Sequence, residues 1–469
     1  MEYKWIALTN TTLTILMASL DTNIVIIALP KISADLHASV LETMWIVLCF
    51  GLVTTISLLS FGRLADMFGR VRLYNAGLVI FTVGSALCGF SGSGQELILF
   101  RSVQALGAAF LFSNSAAILT DAFDQKERGK ALGLNQVSIV FGSVAGLVLG
   151  GLLTDTLGWR SIFWVNVPIG VFGTVWSYTR LKELGTSTGG RIDWIGNGIL
   201  AFGLIIIFLG LTLGPLQMIS FTEEILLIFG GIAVLVFFVY AESKISDPMF
   251  DVDLFRIRVF NVGNLSVFFN AVARGALILV MSFYLQGPTM RLSTLESGLY
   301  LVPVSFTMAT FGPISGWLSD KHGSKIFILG GLGISAIGFL ILTSLQQHEG
   351  FVQLMVPLVL IGSGMGMFAA PNRTAVMNSV PSKRRGIASG MTTTLVTLGN
   401  ITSMGLSFLI ITRSVPISEL EAIFVGKTMS FTSGVSFVNS IHAIFLMSAA
   451  LLVSSMVPAI IERWHKPRY

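Results

Sequence analysis

The chain has 469 residues, of which 53% are hydrophobic and only 11% charged, with a mean hydropathy of +0.82. A soluble domain carries about 25% charged residues, so a water-soluble fold is excluded and a polytopic membrane protein is expected from end to end. The net charge of +5 lies in short segments between apolar runs and is no sign of nucleic-acid binding, while Cys49 and Cys88 fall inside apolar spans and exclude a disulfide scaffold or cysteine metal site.

Apolar stretches of about twenty residues, the length that crosses a hydrocarbon core, fall near 5–29, 43–61, 73–91, 98–120, 132–154, 161–180, 194–214, 224–241, 261–286, 296–316, 325–345, 353–376, 387–412 and 438–461. Fourteen helices are therefore expected. The first contains Asp21 ahead of Pro30 and is long enough to cross, so it reads as a retained helix rather than a cleaved leader. With both termini placed in the cytoplasm, 21 of the 29 Lys and Arg residues fall on inner loops and tails. Five fall outside (Lys31, Arg160, Arg291, Arg413 and Lys427) and three inside spans (Arg101, Arg274 and Arg373). That inward excess, about fourfold, is what the positive-inside rule requires. The long outer segment 413–437 is expected to make a small hairpin or to lie on the membrane surface through 417–425 and 429–438.

Between the second and third spans runs Gly62-Arg63-Leu64-Ala65-Asp66-Met67-Phe68-Gly69-Arg70. Its glycines permit a tight turn, and Asp66 is spaced to pair with Arg70 one helical turn on. Gly316-Trp317-Leu318-Ser319-Asp320-Lys321-His322-Gly323 repeats it, in weaker form, after the tenth span. A loop that occurs twice points to a duplicated transporter with two extra central helices, a six-plus-two-plus-six arrangement. The expected domains are 1–182, a linker 183–258 carrying the seventh and eighth spans, and 259–469.

The turn resembles the G-x-L-A-D-x-x-G-R loop of the major facilitator superfamily. Further residues resemble its fourteen-helix drug:proton antiporter branch. They are Leu20-Asp21-Thr22 through Ala28-Leu29-Pro30, Arg101-Ser102-Val103-Gln104-Ala105-Leu106-Gly107, and the Gly142, Gly146, Gly150, Gly151 ridge. Trp159 to Pro168, Asp193-Trp194-Ile195-Gly196, Gly364-Met365-Gly366 and Gly386 to Gly390 continue the likeness along nearly the whole chain. One position departs: Leu147 stands where the antiporter ridge carries a proline. The resemblance implies an all-helical facilitator fold and proton-coupled efflux of amphipathic compounds by alternating access. It also implies that Asp66, Arg70 and Asp121, with Gly62, Gly69 and the repeat's Asp320, form a cytoplasmic gate.

Read from the residues, Asp21 is the only carboxylate well inside a span of the first half, in the outer half of the membrane and at a depth comparable to Arg101. A carboxylate there is costly unless protonated, paired or facing a wet cavity, so the two are expected to form a proton-coupling site, against the alternatives that Asp21 pairs locally with Thr22 or Asn23 and that Arg101 makes a structural hydrogen-bond clamp with Gln104, one turn away on the same face. Arg274, near the middle of the ninth span, is either a structural partner or a contact for an anionic substrate group. With Asn270, Gln104, Tyr284, Gln286 and Glu296 it makes the expected substrate cavity. The 35 Phe, 18 Met and 8 Trp residues permit a soft apolar pocket without locating one. No phosphate loop, nucleophile elbow or His/Cys cluster is present, so neither an enzyme nor a metal or other cofactor is expected, the proton being the coupling ion. Expected partners are a small amphipathic substrate, protons and the lipid bilayer of the cell membrane, around a monomer. The competing reading is a dedicated carrier for one metabolite, organic anion or lipid-like compound without proton antiport, favoured by Leu147 and Arg274.

Overall fold

A computed structural model describes residues 2–461, apart from 125–126, 186–192, 246–247, 347–348, 382–383, 417–418, 421–422 and 424–430. The described residues are helical with no strand, as a chain in lipid requires when every backbone group must be paired internally. The helices are α1 Tyr3–Asp35, α2 Val40–Phe68, α3 Arg70–Phe90, α4 Gly94–Ala122, α5 Arg128–Leu157, α6 Ser161–Trp164, α7 Asn166–Arg180, α8 Trp194–Leu213 and α9 Phe221–Glu242. After a 3-10 turn, Val252–Arg256, come α10 Arg258–Arg274, α11 Leu277–Gln286, α12 Thr294–His322, α13 Ser324–Leu342, α14 Phe351–Ser379, α15 Arg385–Ser414 and α16 Phe431–Ile461. The sequence-expected outer hairpin over 417–425 and 429–438 falls largely outside the described residues.

Among the described residues thirteen helices are long and apolar enough to cross a membrane, against the fourteen expected. The difference is the sixth span, which is divided into α6 and α7 at Val165. Pro168 lacks an N–H and crowds the carbonyl four residues back, that of Trp164, where α6 ends. The other ends follow local chemistry. Ser39 caps α2 and Ser293 caps α12, each in a reciprocal box with the glutamate three residues on. The α2–α3 turn closes on Gly69 at φ +104°, and its repeat closes on Gly323 at φ +86°, so the two loops share a backbone device that only glycine adopts without strain.

The chain forms two compact units: Met1–Ile207 with Leu226–Phe250, and Phe208–Ile225 with Asp251–Tyr469. In the first, α1 lies on α5, α3 on α4 and α7, and α2 on α4. In the second, α14 lies between α12 and α13, and α10 on α15 and α16. The residues of the α8–α9 hairpin are divided between the two units. One end of it clusters with the first unit, where Gly203 lies against Leu235, and the other with the second, where Phe208 and Leu211 lie against Gly405 and Arg413 pairs with Glu224. Ile195, Phe202, Leu226, Phe229 and Val236 on this hairpin are exposed. Large apolar side chains in that number are solvated by acyl chains, not water.

Candidate functional site

Asp21 sits in the middle of α1 with no accessible surface. Arg101 Nη1 donates to its Oδ2 at 2.6 Å, and Gln104 Nε2 and Asn166 Nδ2 donate to its Oδ1 at 2.8 and 2.7 Å. Arg101 and Gln104 share one face of α4, three residues apart, and Arg101 Nη1 also donates to Gln104 Oε1 at 2.7 Å. Ser85 Oγ on α3 accepts from both amides at 3.2 Å and donates to the Phe163 carbonyl at 3.0 Å. The Arg101 guanidinium lies 4.1 Å from the centre of the Phe50 ring, so its apolar side is covered as well. Arg101 is 2% exposed. Four helices thus supply a neutral, closed ion pair whose carboxylate is met by three donors, the condition for holding charge away from water.

The local alternatives for Asp21 are not taken up. Thr22 donates to the Ala18 carbonyl and Asn23 to the Ser143 carbonyl. Asn166 begins α7 immediately after the break at Val165, and that break aims its amide at Asp21. Alongside, Gly142, Gly146 and Gly150 of α5 lie on α1. A Cβ at these positions would sit 2.6 Å from the Leu16 carbonyl oxygen, 2.7 Å from that of Leu20, and 2.6 Å from the Ile27 side chain. Gly151 and Leu147 are buried in the same helix. The small-residue ridge therefore sets the approach of α5 to the stretch of α1 that carries Asp21.

At the α2–α3 turn, Arg70 Nε donates to Asp66 at 2.8 Å and Nη1 to both oxygens of Asp121 at 2.8 Å. Glu183, just beyond α7, accepts from the backbone N–H groups of Arg70, Val71 and Arg72 at 2.9, 2.9 and 3.4 Å. A carboxylate at the start of α3 meets both its free N–H groups and the positive end of its dipole. A Cβ at Gly62 would meet Ser113 only at ordinary contact distance, whereas a side chain at Gly69 would strike Glu183. The repeat keeps the backbone but not the charge set. Asp320 is exposed and has no hydrogen bond or ion pair to a described residue, and Ser324 stands where the first loop has Arg70.

The residues read as a substrate cavity separate. Gln104 is buried in the Asp21 network. Tyr284 is fully buried and donates to the Gln346 carbonyl at 2.6 Å, Gln286 donates to Ser282 at 2.9 Å, and exposed Glu296 closes the capping box of α12. These four are committed to local structure, because each polar group finds a nearer partner than a ligand would be. Only Asn270 and Arg274 remain without a hydrogen bond or ion pair among the described residues. Asn166, Ser85, Phe50 and Glu183 were not singled out as site residues from the sequence. Asn166 lies within the Trp159–Pro168 stretch that carried the resemblance, whereas a glutamate in a polar linker carries no signal.

The sequence profile of the Major Facilitator Superfamily matches residues 11–404 and 263–468. The chain belongs to the Major Facilitator Superfamily. Relatives within it include the riboflavin transporter RibZ of Clostridioides difficile (strain 630), 31% identical over 87% of this chain and 88% of that protein. The multidrug resistance protein Stp of Mycobacterium tuberculosis (strain CDC 1551 / Oshkosh) is 30% identical over 82% of this chain and 72% of its own length. Among solved structures, a bacterial homolog of the human lysosomal transporter Spinster superposes with a TM-score of 0.66 at 16% identity, over 98% of this chain and 96% of that one. This superfamily member is a multi-pass membrane protein of the transporter fold.

Proposed function

We propose that the protein is a proton-coupled exporter of amphipathic compounds, working by alternating access across the cell membrane, with six-plus-two-plus-six helices and both termini in the cytoplasm. The observation that carries the reading is the closed Asp21–Arg101–Gln104–Asn166 network, which joins α1, α4 and α7 through one carboxylate. Ionised, Asp21 holds Arg101 and draws those helices together. Protonated, it loses the charge that binds Arg101, and the guanidinium must find another partner, so proton uptake from the outer side biases the helices toward a different arrangement. Asp66, Arg70 and Asp121, held by Glu183 on the inner side, are the contacts that would break and remake as access alternates. The relatives named as multidrug resistance proteins support efflux of several compounds.

A dedicated carrier is the second reading. The relative named as a riboflavin transporter favours it, as does Arg274, which has no partner among the described residues. Reconstituted protein assayed with ethidium under an imposed proton gradient separates the two. Gradient-driven ethidium accumulation in wild type, lost in Asp21→Asn, is the expected result. Full coupling in Asp21→Asn removes the residue from the mechanism, and no ethidium movement in wild type moves the function to a dedicated carrier.

A further inference from the structure

The two well-embedded arginines of this chain are in opposite states. Arg101 is 2% exposed and its Nη1 donates to a carboxylate and an amide beneath an aromatic face, while its Nε is buried without a partner among the described residues. Arg274 is half-buried at the last position of α10, in the middle of the span Arg258–Gln286. It makes no hydrogen bond or ion pair to any described residue. Among its described residues the second unit has no carboxylate within the spans near the middle of α10–α11. In the spans of α10 through α16 the only acidic residues are Glu296, in the first turn of α12, and Asp320, in its last. A lone guanidinium inside a membrane span is expensive, and an unmatched one marks a place where a partner is supplied from elsewhere.

The surroundings are built for such a partner. Asn270 lies one helical turn before Arg274 on the same face, is 5% exposed, and its amide also has no partner among the described residues. Directly after Arg274 the helix is interrupted. The Ala276 N–H is drawn to Ser403 Oγ at 2.9 Å, and Gly275 lets the Asn400 backbone approach within 2.6 Å of where a Cβ would stand. Asn400 Oδ1 is buried without a partner beside this break. The carbonyls at the end of α10 offset part of the arginine's charge. They leave the five N–H donors of its planar fork, which match the two oxygens of a carboxylate or sulfonate, without an acceptor.

We propose that Arg274 and Asn270 form an anion-recognition subsite, so that the transported compounds include amphipathic organic anions, or zwitterions presenting their acidic group here, besides the cations that leave this subsite unused. The proposal rests on the transporter reading above and names its substrate class.

The test is equilibrium binding, without a gradient, to the full chain in phosphatidylcholine nanodiscs. The probes are 2-naphthoate, its uncharged amide 2-naphthamide, and 2-naphthyltrimethylammonium. A charge-assisted fork makes 2-naphthoate bind about tenfold or more tightly than the amide, and Arg274→Gln removes that preference while Arg274→Lys keeps part of it. If Arg274→Gln does not fold, Asn270→Ala takes its place and is expected to reduce the preference severalfold. Equal binding of the three probes, preference for the cation, or no binding of 2-naphthoate overturns the proposal. Loss of the preference when phosphatidylglycerol is added assigns the site to lipid headgroups and equally overturns it. Because no proton gradient is involved, failed antiport leaves this result readable. Absence of an anion preference in a protein that does exchange substrate for protons removes only the subsite.

Discussion

Asp21 and Arg101 each have essentially no contact with solvent, so neither tolerates loss of the other. Removing one member of a buried pair strands the opposite charge, at about 3–5 kcal/mol, whereas replacing both with neutral groups of similar size is close to neutral. Arg101→Met is therefore expected to lower the thermal midpoint sharply in detergent, and Asp21→Asn combined with Arg101→Met to restore most of it. A double variant no more stable than Arg101→Met would mean that Gln104 and Asn166 depend on the ionised carboxylate. These two charges were legible in the chain because an ionised residue in an apolar run is rare. Asn166 and Ser85 were not, since uncharged polar residues occur throughout such spans and only proximity separates a ligand of Asp21 from a bystander. Gln104 shows the same limit from the other side: its pairing with Arg101 one turn away on α4 was legible, but its hydrogen bond to Asp21 was not.

Among the elements, the contact of α5 with α1 is open to a single change. A Cβ at Gly146 would lie 2.7 Å from the Leu20 carbonyl oxygen, and backbone cannot turn aside as a side chain can. Gly146→Val should push α1 from α5 next to Asp21, at about 1–3 kcal/mol of overpacking, with a parallel loss of coupled transport. Gly133→Val, on the same helix with nothing within 4 Å of its Cβ position, is the matched control and should leave the thermal midpoint nearly unchanged. Equal effects at both sites would show that helix propensity, not contact, sets the cost. The ridge was visible as a four-residue glycine spacing, but not the helix it meets. The interruptions at Val165 and Gly275 were also hidden, because hydropathy averages over a span and does not register one displaced hydrogen bond.

For the whole molecule, the orientation is the claim most open to a direct check. Both native cysteines are buried and can be replaced for labelling. In that background Lys31→Cys, on an exposed residue, should react with an impermeant thiol reagent applied to intact cells. Lys321→Cys, equally exposed, should react only after permeabilisation. The reverse pattern inverts the topology, and with it the side from which Asp21 would take its proton.

What the sequence determined by itself is whatever a bilayer imposes locally. Span length, the crowding of arginine and lysine into the segments between spans, and the glycine at each repeated turn are set by lipid thickness, the cost of charge in hydrocarbon and backbone sterics, and each is written in consecutive residues. Only the tertiary structure decided which polar groups meet. Asp21 and Arg101 are eighty positions apart, Glu183 is more than a hundred from the helix it caps, and Arg274 is distinguished by the partners it lacks. Such pairings depend on which helix faces turn toward one another, and that is settled by packing along the whole length of the helices rather than by any one segment.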